Sequence, residues 1–124
     1  MHGAGASERS FIDIADVAGA TALVARSGKP GDTYHIATER IVSIRALVEL
    51  ICARLGAKFA DCVEIVGERP GKDMAYRLDS GKLRRELGWS DKIGLEAGIE
   101  RTIAWADRFF DALKEQPMRY VHKP

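Results

Sequence analysis

The side chains best suited to chemistry in this sequence are two arginines, Arg9 and Arg69. Arg9 follows the glycine-bearing run His2-Gly3-Ala4-Gly5-Ala6 and directly precedes a β-rich stretch. Arg69 stands in Arg69-Pro70-Gly71, where proline sets the backbone φ and glycine permits a tight turn. A guanidinium holds five N–H donors in one planar fork, which matches the oxygens of a phosphate or diphosphate. For either arginine alone, a solvated surface residue is the favoured reading. Two on rigid loops strengthen the case for a diphosphate site.

Other candidate chemistry is thinner. His2, His35 and His122 lack metal-ligand spacing. His35 falls in an extended stretch, where a half-buried, hydrogen-bonded histidine is the simpler expectation. No serine or cysteine occupies a nucleophile elbow. Neither a G-x-x-x-x-G-K-[ST] phosphate loop nor a G-x-G-x-x-G run between a strand and a helix is present. The Gly3 and Gly5 pair is by itself an ordinary loop feature. Cys52 and Cys62 match no metal or redox spacing, and Cys52, inside an apolar helical pattern, reads as a buried free thiol. Trp89 and Trp105 offer faces for stacking a base, but their positions favour packing. Lys82, Arg84 and Arg85, beside Glu86, read as a solvated helix face.

The elements that must carry these residues follow from spacing. Ser10 to Ile14 alternates and predicts a strand, after which Asp16 stands where an N-cap belongs. Val17, Ala20, Thr21 and Val24 follow at helical spacing, and the cluster from Gly28 to Asp32 stops that helix. Thr33 to Ile36 predicts a second strand. Ser43 caps a helix with Ile44, Leu47, Val48, Ile51 and Leu55 on one stripe, closed by Gly56. Cys62 to Val66 predicts a third strand, and Met74 to Leu78 an extended piece. Asp79 or Ser80 caps a helix through Leu83 and Leu87 that ends at Gly88. One long final helix carries Leu95, Ile99, Ile103, Ala106, Phe110 and Leu113, with Pro117 as its stop. The expectation is an α/β fold: a small mixed domain of short strands and about four helices, over residues 1–116, with a tail at 117–124.

Composition bounds the function class. The 124 residues are 46% apolar, 30% charged and 7% aromatic, as in ordinary globular domains. A net charge of +1 lacks the basic footprint of a nucleic-acid or anionic-membrane binder. Val17 to Ala25, the longest apolar run, is too short to span a bilayer. Met1 to Gly5 has neither a basic nor an apolar signal region, so the cytoplasm is the expected compartment. The length leaves no room for both a dinucleotide domain and a substrate domain.

The order of the pieces resembles a known family. Gly3-Ala4-Gly5 leading to Arg9-Ser10-Phe11-Ile12-Asp13-Ile14-Ala15-Asp16-Val17 is similar to the G-x-G…R-[SD]-[FW]-[IV]-x-[VI]-x-D-V run of extended short-chain dehydrogenases acting on nucleotide sugars. Gly31-Asp32-Thr33-Tyr34-His35-Ile36-Ala37 resembles their G-x-x-Y-N-I-G strand. Arg69 to Tyr76, running on to Leu78-Asp79-Ser80-Gly81-Lys82-Leu83, resembles R-P-G-H-D-x-R-Y…D-S-S-K-L. Glu86-Leu87-Gly88-Trp89, then Gly98-Ile99 and Thr102-Ile103-Ala104-Trp105, resembles the ending E-L-G-W…G-[IL]…T-[IV]-x-W. Arg69-Pro70-Gly71 continuing to Asp73 and Tyr76 is most similar to the dTDP-glucose 4,6-dehydratase branch. His35 replaces the family asparagine, Ala37 its glycine, and Lys72 the histidine after R-P-G.

The resemblance implies a nucleotide-sugar-binding C-terminal part of such an enzyme. It places Arg9 and Arg69 on the nucleotide diphosphate and adds His35, Lys72, Asp73 and Tyr76 as substrate-binding candidates, with no catalytic or metal-binding residue. NAD belongs to the intact family enzyme. Its fingerprint and Y-x-x-x-K pair have no counterpart in this sequence, so the expectation is that this chain binds no cofactor and is inactive alone. The implied partners are a nucleotide diphosphate sugar and either a second copy or the missing Rossmann domain, covering the apolar faces of Val17, Ala20, Val24 and Ile36. The other reading is a non-catalytic nucleotide-sugar-binding or assembly module that pairs with a separate Rossmann partner. A third is an α/β domain that shares only architecture.

Overall fold

A computed structural model describes residues 1–68, 70–71 and 73–117. The chain opens with a tight left-handed turn at Gly3–Gly5, with φ of 53° at Gly3, 51° at Ala4 and 72° at Gly5. Glycine is required at both ends of that turn for space as well as φ. A Cβ on Gly3 would lie 1.6 Å from Glu68 Oε2, and one on Gly5 would lie 2.8 Å from the Arg45 backbone nitrogen. Strand β1 (Glu8–Arg9) follows, two residues before the stretch expected to be a strand. The first helix, α1 (Ile14–Ser27), begins earlier than Asp16 because Asp13 caps it, its Oδ1 accepting from the Ala15 N–H at 2.8 Å. That cap draws Ile14 and Ala15 into the first turn.

Thr33 to Ile36 has no strand partner among the described residues. Strand β2 (Val42–Ser43) runs straight into α2 (Ile44–Arg54), where Ser43 is the expected cap and accepts from the Ala46 N–H at 3.0 Å. Gly56, at φ 64°, reverses the chain. A short helix, α3 (Phe59–Cys62), occupies the start of the expected third strand, and only Val66 beyond it pairs, with His2. Strand β3 (Ala75–Tyr76) lies inside the expected extended piece. Helix α4 (Gly81–Leu87) ends, as expected, on left-handed Gly88. At its start Asp79 Oδ1 accepts from the Gly81 N–H at 2.7 Å, while the Ser80 hydroxyl donates to the Ala37 carbonyl at 2.9 Å. The long last helix is broken. Phe109 (φ −107°, ψ 16°) separates α5 (Leu95–Arg108) from α6 (Phe110–Lys114). The short α3 and α6 raise the number of helices above the expected four among the described residues.

The three strands form one small sheet in the order β2-β1-β3. β1 pairs antiparallel with β2, with Arg9 opposite Val42, and parallel with β3, with Arg9 opposite Tyr76. The core is Ala20, Leu83 and Trp89, with Ile12, Leu23, Val24, Tyr34, Ile36 and Leu87 packed against it. Of the apolar residues expected to lack cover, Ala20, Val24 and Ile36 therefore pack with Leu83 and Trp89, while Val17 is outside this cluster. The exposed apolar surface lies elsewhere, at Ile14, Leu55, Phe109, Phe110 and Trp105. Trp105, expected to pack, is 54% exposed, and its ring lies 5.5 Å from that of Phe109.

Two polar side chains fasten these pieces. Asp16 is 7% exposed, and its Oδ2 accepts from the backbone N–H groups of Lys92 and Ile93, both at 2.9 Å. It is a staple between α1 and the approach to α5, not the N-cap. Arg84, expected on a solvated face, instead donates to Ser80 Oγ, the Ala37 carbonyl and Asp91 Oδ1. Its guanidinium also lies 5.0 Å from the centre of the Trp89 ring. No described helix is long and apolar enough to cross a membrane.

Candidate functional site

The site grows from β1. As the central strand, β1 has a neighbour on both edges, so its backbone is held on both sides while Arg9 extends from it. The Arg9 guanidinium donates through Nη1 to the Glu8 carbonyl at 2.7 Å and through Nη2 to the Asp73 carbonyl at 2.9 Å. Two donors are thereby engaged, and the rest of the fork has no protein partner among the described residues.

Arg9 faces no carboxylate among the described residues, which is also true of Arg26, Arg85 and Arg108, but Arg9 alone of these four donates to backbone carbonyls. Arg40, Arg45, Arg54, Arg77, Arg84 and Arg101 each face a carboxylate. Arg9 is oriented by carbonyl oxygens alone, which fix its direction without cancelling its charge. Its neighbour Glu8 is turned to the other side of the sheet rim, where Arg77 Nη2 donates to Glu8 Oε2 at 2.6 Å. A positioned, un-neutralised guanidinium is what binding of a phosphate oxygen requires.

The register supplies the next members. Tyr76 sits directly across from Arg9 on β3 and is 57% exposed, so its ring and hydroxyl are open to a ligand. Asp73 joins through its carbonyl, not its carboxylate, and the Glu8 N–H donating to the Met74 carbonyl at 2.8 Å holds the same loop against β1. Arg9, Asp73 and Tyr76 are thus brought together. Arg69 and Lys72 lie outside the described residues.

His35 is not joined to them. Tyr34 and Ile36 face the core, so the alternation of an extended chain turns His35 outward. It is exposed and makes no hydrogen bond or ion pair among the described residues, contrary to the expected half-buried histidine. Two contributors escaped the sequence reading. Arg77 braces the β1–β3 rim, and the Gly3 turn receives Glu68. The signal for Arg77 was its place just after Tyr76 in the extended piece; for Gly3 it was the glycine pair itself.

The glycine turn does not fit a dinucleotide pyrophosphate. Its surface is filled by the Glu68 carboxylate over Gly3 and by Met1 Sδ and the α2 backbone over Gly5. It also feeds a strand, whereas a pyrophosphate site opens a helix toward the ligand. Among the described residues no group of three or more histidine, cysteine, aspartate or glutamate side chains could hold a metal ion. A groove of about 690 Å³ between α2 and α5, lined by Ile51, Leu55, Ile99, Ile103 and Phe110, does not include Arg9.

Known proteins share this fold. The family model described as GDP-mannose 4,6 dehydratase matches residues 1–102. The dTDP-glucose 4,6-dehydratase of Neisseria gonorrhoeae is 32% identical over 115 residues, covering 85% of this chain and 33% of that protein. The crystal structure of the dTDP-glucose 4,6-dehydratase from Streptomyces venezuelae, with NAD bound, is 34% identical with a TM-score of 0.81. The match covers 86% of this chain and 33% of that one. The Bordetella bronchiseptica enzyme WbmF, in complex with NAD+ and UDP, is 29% identical with a TM-score of 0.75, over 91% of this chain and 32% of that one. The chain spans about a third of the length of the curated relatives it matches.

Proposed function

The chain belongs to the nucleotide-sugar 4,6-dehydratase family of extended short-chain dehydrogenases, and from that premise we propose that it binds the nucleotide diphosphate of a sugar nucleotide through Arg9 and Arg69. The observation that carries this reading is the guanidinium of Arg9, held by the Glu8 and Asp73 carbonyls with its charge uncancelled. The Asp73 contact also ties β1 to the segment that follows Arg69 in sequence, and Arg69 itself lies outside the described residues. Tyr76 supplies an exposed ring opposite Arg9, and the reading includes Lys72, outside the described residues, as a further cation. His35, on its own segment, is the weakest of the six candidates.

Residues 1–116 then form the nucleotide-sugar-binding unit of a 4,6-dehydratase or epimerase, with 117–124 as a tail. NAD supplies hydride transfer in the family's intact enzymes, and none of that chemistry is assigned to residues of this chain. Their part is to grip and orient the diphosphate. The groove between α2 and α5 and the exposed Phe110 are the surface that the rest of such an enzyme would cover, since relatives are about three times as long.

Titration calorimetry of the full chain with dTDP, UDP and NAD tests the reading. Binding of a nucleoside diphosphate, weakened about tenfold or more in Arg9→Ala, is expected, because a hydrogen bond to a charged group contributes roughly 1.5–3 kcal/mol. Equal affinity in Arg9→Ala and the wild type would overturn it. The same holds for Arg69→Ala.

A further inference from the structure

Strand β3 lies at the edge of the sheet and is two residues long, so its ladder with β1 fixes it over a short length only. Three further bonds hold it and the loop before it. The Glu8 N–H donates to the Met74 carbonyl at 2.8 Å, and Arg9 Nη2 donates to the Asp73 carbonyl at 2.9 Å. Past Tyr76, one side-chain bond joins this run to β1 among the described residues: Arg77 Nη2 donates to Glu8 Oε2 at 2.6 Å. Successive side chains of a strand point to opposite faces. The register therefore sets Arg9 and Tyr76 on one face, and Glu8 with Ala75 and Arg77 on the other.

We propose that Glu8 and Arg77 are positioning residues of the diphosphate site, clamping β3 to β1 from the reverse face so that the Asp73 carbonyl and Tyr76 stay in register with Arg9. The clamp matters only if Arg9 holds the diphosphate, and so it rests on that reading. Neither side chain lies on the ligand's face of the sheet; both act through Arg9.

Arg9 is steered by two acceptors from different parts of the chain. The Glu8 carbonyl is on β1 itself, whereas the Asp73 carbonyl comes with the segment that enters β3. A slip of β3 removes the second acceptor and moves Tyr76 from its place opposite Arg9. The guanidinium, then held by one bond, regains rotamers that ligand binding must freeze, and affinity falls. The Arg77 bond is charge-assisted and directional, which suits it to fixing register. Both side chains are exposed, at 63% for Arg77 and 43% for Glu8, so breaking the pair disturbs the fold little. Lost affinity without a matching loss of stability is the first signature of the clamp. The sign of the charge effect is the second. Glu8→Ala takes a negative charge away from an anion site; the field alone would strengthen binding, and loss of the clamp weakens it.

The test is titration calorimetry of the full chain with dTDP, at low salt and well below every melt. Arg77→Ala and Glu8→Ala should each bind about fivefold more weakly, the scale of an exposed pair, with a Tm within about 2 °C of wild type. The double variant should be no weaker than Arg77→Ala, because one clamp is broken only once. Amide exchange should show the Glu8 N–H losing protection in both single variants. Asp16→Asn, destabilised on α1, should bind dTDP as the wild type does. Tighter binding by Glu8→Ala, or wild-type affinity in Arg77→Ala while Arg9→Ala is weakened, would overturn the clamp and leave the Arg9 reading standing. So would losses that add in the double variant, or an equal loss in Asp16→Asn. Wild-type affinity in Arg9→Ala would overturn both.

Discussion

Replacing Asp16 with alanine should lower stability far more than an ordinary helix substitution. The carboxylate is 7% exposed, and one of its oxygens accepts two backbone N–H bonds at 2.9 Å, from Lys92 and Ile93. A hydrogen bond to a charged group contributes roughly 1.5–3 kcal/mol, and part-buried donors left unpaired add a desolvation cost. Because Lys92 is itself exposed and water can reach its N–H, about 3 kcal/mol is expected for the pair. For a chain of this size that is a fall in Tm of roughly 10 °C. Asp16→Asn keeps an acceptor oxygen and should lose only about 1 kcal/mol, or roughly 3 °C. Calorimetric melts of the three proteins measure this directly, and amide exchange should show Lys92 and Ile93 losing protection in Asp16→Ala. A melt of Asp16→Ala within about 2 °C of wild type would refute the staple. So would unchanged exchange at both amides.

Other outcomes follow from the same structure. Leu83→Ala empties the centre of the core, where Leu83 is 0% exposed between Ala20 and Trp89, and should cost about 2–5 kcal/mol in denaturant unfolding. The Arg40 hydrogen bond at 2.7 Å holds the Glu96 carboxyl well down, from 4.5 to about 2. Its folded value is depressed, so its contribution is present above pH 4.5 and is lost as pH falls toward 2. Glu96→Gln should flatten the stability profile in that window, and salt should shrink the difference because the pair is exposed. Arg9→Lys should bind a nucleoside diphosphate more weakly than wild type, as it keeps the charge but loses the fork; calorimetry reads this alongside Arg9→Ala.

Much of the helix framework was legible because its signals are local. Ser43 three residues ahead of the Ala46 N–H, and Gly88 with its free choice of φ, decide the ends of α2 and α4 over a few residues. Short strands were harder. With two residues each, β1, β2 and β3 are set by who lies alongside, and Ser10 to Ile14 lost its strand to a cap at Asp13 that competes for the same backbone. The long apolar stripe from Leu95 to Leu113 is continuous in sequence, yet the helix breaks at Phe109 because periodicity records which face is apolar and not whether the backbone bends. Of the site, the value of Arg9 was visible from its loop position. Its register with Tyr76 and its bond to the Asp73 carbonyl were not, since both link residues more than sixty positions apart.

By itself the sequence determined the family, through the order and spacing of motifs from Gly3 to Trp105, and the helix caps, through hydrogen bonds closed within a few residues. Tertiary structure alone decided which charges remain free. Asp16 reads as a helix cap and Arg84 as a surface residue in the sequence, and both are structural staples, because their partners are brought by packing and not by neighbouring chain. Arg9 stands out in the sequence by its loop position, but only the fold shows that carbonyls hold it where Arg40, Arg45, Arg54, Arg77, Arg84 and Arg101 meet carboxylates. Local backbone energetics can be read along a chain; the partner of a long side chain is chosen by the fold.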